Sequence, residues 1–149
     1  MQIRPALEAD SDALFGLMRE LAVFEKYIDS FAITPAVVRA SGFRKSPPDF
    51  YCLVAEEAHQ IVGMLVYYFL PYTAQNRPAI YMKELFVAEG WRNRGIGRQL
   101  MAALRDVARN HGCGQIKWTV APWNEAGIRF YARLGAKENH DWLNFDLSV

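Results

Sequence analysis

The chain has 149 residues, 52% hydrophobic and 22% charged, with nine Phe, seven Tyr and four Trp. That composition fills one packed core and argues against disorder, and the length excludes a second catalytic domain when folding units run about 100 to 200 residues. Seventeen Lys and Arg against sixteen Asp and Glu leave a net charge of +1, which excludes a broad electrostatic footprint for nucleic acid or an anionic membrane, so any basic site must be local.

Residues 2 to 5 are expected to form a first strand. Ala9-Asp10-Ser11-Asp12 then offers capping oxygens to a helix in which Leu14, Leu17, Met18, Leu21 and Ala22 recur at helical spacing. Thr34-Pro35 reads as an N-cap with proline at the first helical position, and Gly42 as the end of that short helix. Phe50 to Ala55 and Ile61 to Phe69 are β-branched and aromatic runs separated by Glu56-Glu57-Ala58-His59-Gln60, a spacing suited to an antiparallel hairpin. Ile80 to Val87 reads as a further strand. Beyond Ala88 to Asn93, Ile96, Leu100, Leu104 and Val107 mark a long amphipathic helix that stops at Gly112. Gln115 to Val120 is expected as a strand, Asn124 to Leu134 as a helix ended by Gly135, and Trp142 to Leu147 as a last alternating strand. The pattern is α+β, or mixed α/β: helices on a largely antiparallel sheet, one domain over 1–149.

No stretch approaches the ~20 apolar residues that cross a bilayer, and the start, MQIRPALEADSD, lacks a basic n-region followed by an apolar h-region, so no membrane partner and a cytoplasmic address are expected. Cys52 and Cys113 lack CxxC spacing and read as buried thiols. His59, His111 and His140 stand at no metal-ligand spacing from one another or from a cysteine, and no metal is expected.

The segment that carries chemistry is Arg92-Asn93-Arg94-Gly95-Ile96-Gly97-Arg98, between a predicted strand and the helix it opens. Free amides at a helix start, the positive end of the helix dipole, two glycines and three arginines suit a phosphate or pyrophosphate. A Walker A loop fails because Gly90 and Gly95, spaced as its two glycines, are followed by Ile96-Gly97 and not by Lys-Ser/Thr. A dinucleotide fingerprint fails because Leu100 stands where its third glycine or alanine belongs. Arg92, Arg94, Arg98, Arg105 and Arg109 form a basic stripe without a recognisable DNA-binding module, and nucleic acid is not expected.

Arg92-x-x-Gly95-x-Gly97, the strand Tyr81 to Val87 before it, and Trp123-Asn124-Glu125-Ala126 and Phe130 to Ala136 after it, resemble the signature of the GNAT superfamily of acetyl-CoA-dependent N-acetyltransferases. The similarity extends upstream through Ile3-Arg4-Pro5-Ala6, Glu20-Leu21-Ala22, Cys52 to Glu56 and Ile61-Val62-Gly63, and downstream to Trp142. The full-length set looks most like the diamine, or spermidine/spermine, acetyltransferase branch.

The resemblance implies a GNAT-like sheet whose central strands splay to admit the pantetheine arm of acetyl-CoA, and a homodimer. Main-chain groups of Leu85, Phe86 and Val87 would pair with the arm. The amides from about Asn93 through Arg94, Gly95, Ile96 and Gly97 to Arg98, with Arg92, would hold the pyrophosphate, and Asn124 would add a contact. Tyr131 takes the position of the general acid that protonates the sulfur of departing coenzyme A. The acceptor would be a small-molecule primary amine, for which Glu25 and Trp142 match a carboxylate and an aromatic of the amine channel. Other acceptors of the same fold are an amino acid, an antibiotic amine or a protein N-terminus, and a non-catalytic acyl-CoA-binding regulatory module is the reading of a different class.

Deprotonation of the amine needs a base, since an alkylamine of pKa ~10.4 is neutral in only about one molecule in 2,500 at pH 7, a cost of ~4.6 kcal/mol. The diamine branch carries a glutamate where this chain has Lys83, with Glu84 beside it. Strand alternation points the two to opposite faces, so Glu84 serves only if a bulge or twist redirects it or water relays the proton. Lys83 is otherwise a surface cation, or a base if desolvation depresses its pKa. Glu84 ranks first.

Overall fold

In the computed structural model all residues from Met1 to Val149 are described. They fall into two compact units, Met1–Thr119 and Val120–Val149. The first holds β1 (Gln2–Pro5), α1 (Ser11–Phe24), α2 (Pro35–Phe43), β2 (Tyr51–Glu57), β3 (Gln60–Leu70), β4 (Ala79–Val87), α3 (Ile96–Asn110) and β5 (Ile116–Lys117); the second holds α4 (Glu125–Arg133). Five strands make one sheet in the order β1-β2-β3-β4-β5, antiparallel except for the β4–β5 pair.

The β2–β3 hairpin turns on Ala58 and His59, both at positive φ (47° and 64°), the geometry that matches the right-handed twist of the flanking strands. Strand alternation then divides the core between two faces. Leu14, Leu17, Met18 and Leu21 of α1 and Val38 of α2 pack with Cys52, Val54, Met64, Val66 and Phe86 on one face. On the other, a Cβ at Gly63 would meet the Ile96 and Leu100 side chains at 3.3 and 3.4 Å, so α3 lies against the sheet there. Leu53, Leu65 and Leu85 follow Gly63 in the alternation and in the cross-strand register.

Several sequence expectations are corrected. The oxygens before α1 do not cap it: the Asp10 carboxylate accepts from Leu7 N–H and Arg4, and Ser11 Oγ donates to the Glu8 carbonyl. Gly42 does not end α2, which continues to Phe43. Its missing side chain leaves room for Phe50, whose ring would lie 2.6 Å from a Cβ. The strand expected over Gln115 to Val120 is paired only at Ile116 and Lys117, opposite Ile80 and Tyr81. Trp142 to Leu147 forms no strand, with Leu143, Phe145 and Leu147 each more than four-fifths exposed. Alternation supplies a strand with a buried face but not with the neighbour its hydrogen bonds need, and this segment has none. Thr34 caps α2 as expected, through Val37 N–H, and Gly112 and Gly135 close α3 and α4 at positive φ.

Candidate active site

The cross-strand register places the site. Val66 pairs with Glu84 and Tyr67 with Met82, so β4 carries one residue more than β3 between these pairs, and that residue is Lys83. Met82 lies opposite Tyr67, and Leu85 opposite Leu65, both on the α3 face. Lys83 and Glu84 together fill the interval between them and share the α1 side. The bulge thus removes the strict alternation that would have separated the two residues.

On that side Glu84 meets the end of α1. Glu25 donates its amide to the Leu21 carbonyl, and the chain then reverses at Lys26 (φ 66°) to bring in Tyr27. Glu84 is half-buried. Burial raises its carboxyl above the ordinary range; the Lys83 ammonium opposes the rise and the Glu25 carboxylate adds to it. Glu25 is surface-exposed, yet protein packed on one side raises it too, again against the pull of Lys83. The Tyr27 phenol is pushed up to about 12 by burial and by the charges of Glu84 and Glu25. Tyr68 is raised by burial and by Glu84, and its ring stacks on Tyr81 with centroids 6.4 Å apart and planes 5° from parallel. Two carboxylates, one ammonium and an aromatic wall therefore share one side of the sheet, a set of groups chemically suited to an amine.

Sequence reading singled out Glu25 and Glu84 and missed Tyr27, Tyr68 and Tyr81. Tyr27 lies two residues after Glu25, and Tyr68 and Tyr81 are brought face to face only by the register beyond the bulge.

The same strand opens on its other edge. Pairing with β5 ends at Tyr81, so β4 from Met82 to Val87 has no strand beside it. Ala88 N–H bonds the Val62 carbonyl, and by alternation Phe86 also turns its main chain to β3, while Leu85 and Val87 turn theirs to the open edge. Val87 offers its carbonyl there, accepting from Arg92 Nε at 3.0 Å. The Arg92 guanidinium lies over the Phe24 and Phe86 rings at 5.3 and 5.2 Å, tying the loop to β4 and to the end of α1.

Beyond Arg92 the loop passes through two left-handed residues, Asn93 (φ 62°) and Gly95 (φ 78°), and enters α3 at Ile96, whose side chain is buried. The first helical bond is Gln99 N–H to the Gly95 carbonyl, so the amides of Ile96, Gly97 and Arg98 precede any intrahelical acceptor. A Cβ at Gly95 would meet nothing within 4 Å, and Asn93, Arg94 and Arg98 are exposed. Arg94 lies over the Trp91 ring at 4.9 Å. An open, positively polarised concavity beside an unpaired strand edge fits a diphosphate continued by an amide-bearing arm.

In the second unit Asn124 caps α4, its Oδ1 accepting from Gly127 N–H at 3.0 Å. Tyr131 lies on α4, half-buried, its ring 5.3 Å from that of Phe130, and its carbonyl accepts from Leu134 and Ala136. Trp142 is 79% exposed in the segment without a strand.

A sheet opened along one edge of β4, followed by exposed amides at the start of α3, suits an acyl-carrier-dependent acyltransferase. The sequence model of the Acetyltransferase (GNAT) family matches residues 16–136, and the chain belongs to that family. GNAT enzymes take acetyl-CoA as cosubstrate, and the chain is an acetyl-CoA-dependent N-acetyltransferase. It is 34% identical to thialysine N-epsilon-acetyltransferase of Mus musculus over 97% of this chain and 90% of that protein. It is 32% identical to spermidine/spermine N(1)-acetyltransferase-like protein 1 of Homo sapiens, over 91% of this chain and 20% of that protein. Among solved structures, an aminoglycoside acetyltransferase from an uncultured soil metagenomic sample, in complex with sisomicin, superimposes with a TM-score of 0.82. It shares 20% identity, covers 99% of this chain and 95% of that one, and supports the fold alone.

Proposed function

We propose that the enzyme transfers the acetyl group directly to a primary amine of a small molecule, with Glu84 as general base and Tyr131 as general acid. The observation that supports the reading is the register around the bulge at Lys83, which leaves Glu84 on the side where Glu25 and the Tyr68–Tyr81 pair stand. A carboxyl raised by burial is a stronger base once ionised, and it has to offset the ~4.6 kcal/mol cost of a neutral amine at pH 7. Glu25 attracts the incoming ammonium ahead of that step, and Trp142 is assigned to the amine by sequence resemblance alone. The relatives named for thialysine and for spermidine and spermine support an amine acceptor of small size.

Acetyl-CoA, when bound, supplies an activated acyl group and a thiol leaving group. Leu85 and Val87 would hold its amide-bearing arm, with Phe86 supporting the strand from the core. The amides of Asn93 to Arg98 would hold its diphosphate, with Arg92 bracing the loop and Asn124 contributing beyond it. Direct transfer fits the cysteines: burial pushes the Cys52 thiol far above its usual range and raises Cys113 as well, which leaves neither as a ready thiolate. The reading includes a single catalytic domain over 1–149, a cytoplasmic location and a homodimer.

Coenzyme A release measured across polyamines, amino acids, aminoglycosides and short peptides tests it. Glu84→Gln and Tyr131→Phe are each expected to lower kcat by roughly 10² to 10⁴. Saturable acetyl-CoA binding without amine-dependent thiol release would identify a binding module instead.

A further inference from the structure

We propose that Lys83 is a specificity-determining residue which selects acceptors that carry a carboxylate together with the reacting amine, so that amino-acid amines are preferred over diamines and polyamines. The inference rests on the reading of Glu84 and Glu25 as the amine site and deepens it. Three observations support it.

The first is placement. The bulge leaves Lys83 without a cross-strand partner and carries it to the same side as Glu84, whereas an unbroken strand would have put it on the opposite face. The second is that its charge acts on both carboxylates of the site, Glu84 and Glu25, while it closes no ion pair with either. Elsewhere in the first unit several cations are neutralised in place, Arg4 by Asp10 and Glu56, Arg44 by Glu8 and Lys45 by Asp49. The third is exposure. The Lys83 side chain is open to solvent beside half-buried Glu84, which leaves its three donors available to a ligand.

Two carboxylates and one ammonium set a mixed-charge requirement. An acceptor enters with its reacting ammonium toward Glu84. If the far end of the molecule is a second ammonium, as in a diamine, Lys83 repels it and offsets the pull of Glu25. If the far end carries a carboxylate, Lys83 pairs with it, and the α-ammonium beside that carboxylate faces Glu25. Attraction of one class and repulsion of the other act on the same discrimination. No step of the transfer is altered: the ammonium of Lys83 neither gives nor takes a proton.

Lysine and cadaverine, and ornithine and putrescine, are pairs that differ only by the carboxylate, so the ratio of kcat/KM within each pair isolates it. With the full-length enzyme and saturating acetyl-CoA, the ratio is expected to favour the amino acid by about tenfold, the size of one hydrogen-bonded charge contact. Lys83→Gln is expected to bring the ratio toward one, chiefly through KM for the amino acid, and Lys83→Glu to invert it. Lys83 is exposed, and circular dichroism of each variant checks that the fold is retained. Turnover with a ratio that is the same in the wild type and both variants overturns the inference and leaves the amine-acetylation reading standing. A wild-type ratio favouring the diamine also overturns it. Absence of thiol release with every amine overturns that reading and this inference with it.

Discussion

Glu84 is held in the folded protein with its carboxyl above the ordinary range, so the folded state binds its proton more tightly than the unfolded chain does. Stability contributed by this group is therefore intact below the unfolded value of about 4.3 and declines as pH rises toward the folded value, with the full penalty present above it. Glu84→Gln should accordingly have a Tm at pH 7 equal to or above that of the wild type, with any advantage vanishing near pH 4, while its turnover falls. A variant that loses both stability and turnover at pH 7 would make Glu84 a structural residue. The candidates were legible at the residue scale, because one carboxylate and one lysine stand next to each other on a strand. That Lys83 and Glu84 share one side was not legible, since it depends on one extra residue in a register set by a neighbouring strand.

Elements carry the cosubstrate side. The phosphate cradle needs a left-handed residue immediately before α3, and Gly95 at φ 78° meets that need. Gly95→Ala finds open space for its Cβ, so its cost is the backbone strain of roughly 1–2 kcal/mol, together with a raised KM for acetyl-CoA; an unchanged KM would move the diphosphate away from this loop. The other end of the sheet is fastened by Arg4 on β1, which donates to Asp10 at 2.7 Å and to Glu56 on β2 at 2.8 Å. These bonds hold the Asp10 carboxyl below its usual range, so its stabilisation is present above about pH 3.9 and is lost as pH falls through the depressed value. Asp10→Asn should cost roughly 2–3 kcal/mol at pH 7 by denaturant unfolding, and the difference should shrink in acid. Elements with a periodic apolar face and a stop residue were legible as such, α1, α3 and α4 among them. The strand expected at Trp142 to Leu147 was not realised, because alternation says which side of a strand is apolar and nothing about whether another strand lies beside it.

For the molecule as a whole, the near-balance of charge and the aromatic content are compatible with association, and the homodimer belongs to the proposed function. Light scattering at twice the chain mass is the expected result, and a monomer mass would remove that part of the proposal. The family and the loop proposed to hold the diphosphate could be read from the sequence, since both reside in contiguous residues: a strand, two glycines and the opening turn of a helix. Two features were decided only when the chain folded. One is the unpaired edge of β4, which exists because β5 pairs with it at Ile80 and Tyr81 alone. The other is the bulge that puts Lys83 and Glu84 on one side, opposite the end of a helix some sixty residues earlier in the chain. Both are properties of hydrogen-bond register between strands, which no single segment contains, and so only the tertiary structure could decide which side Lys83 and Glu84 face and where β4 is left unpaired.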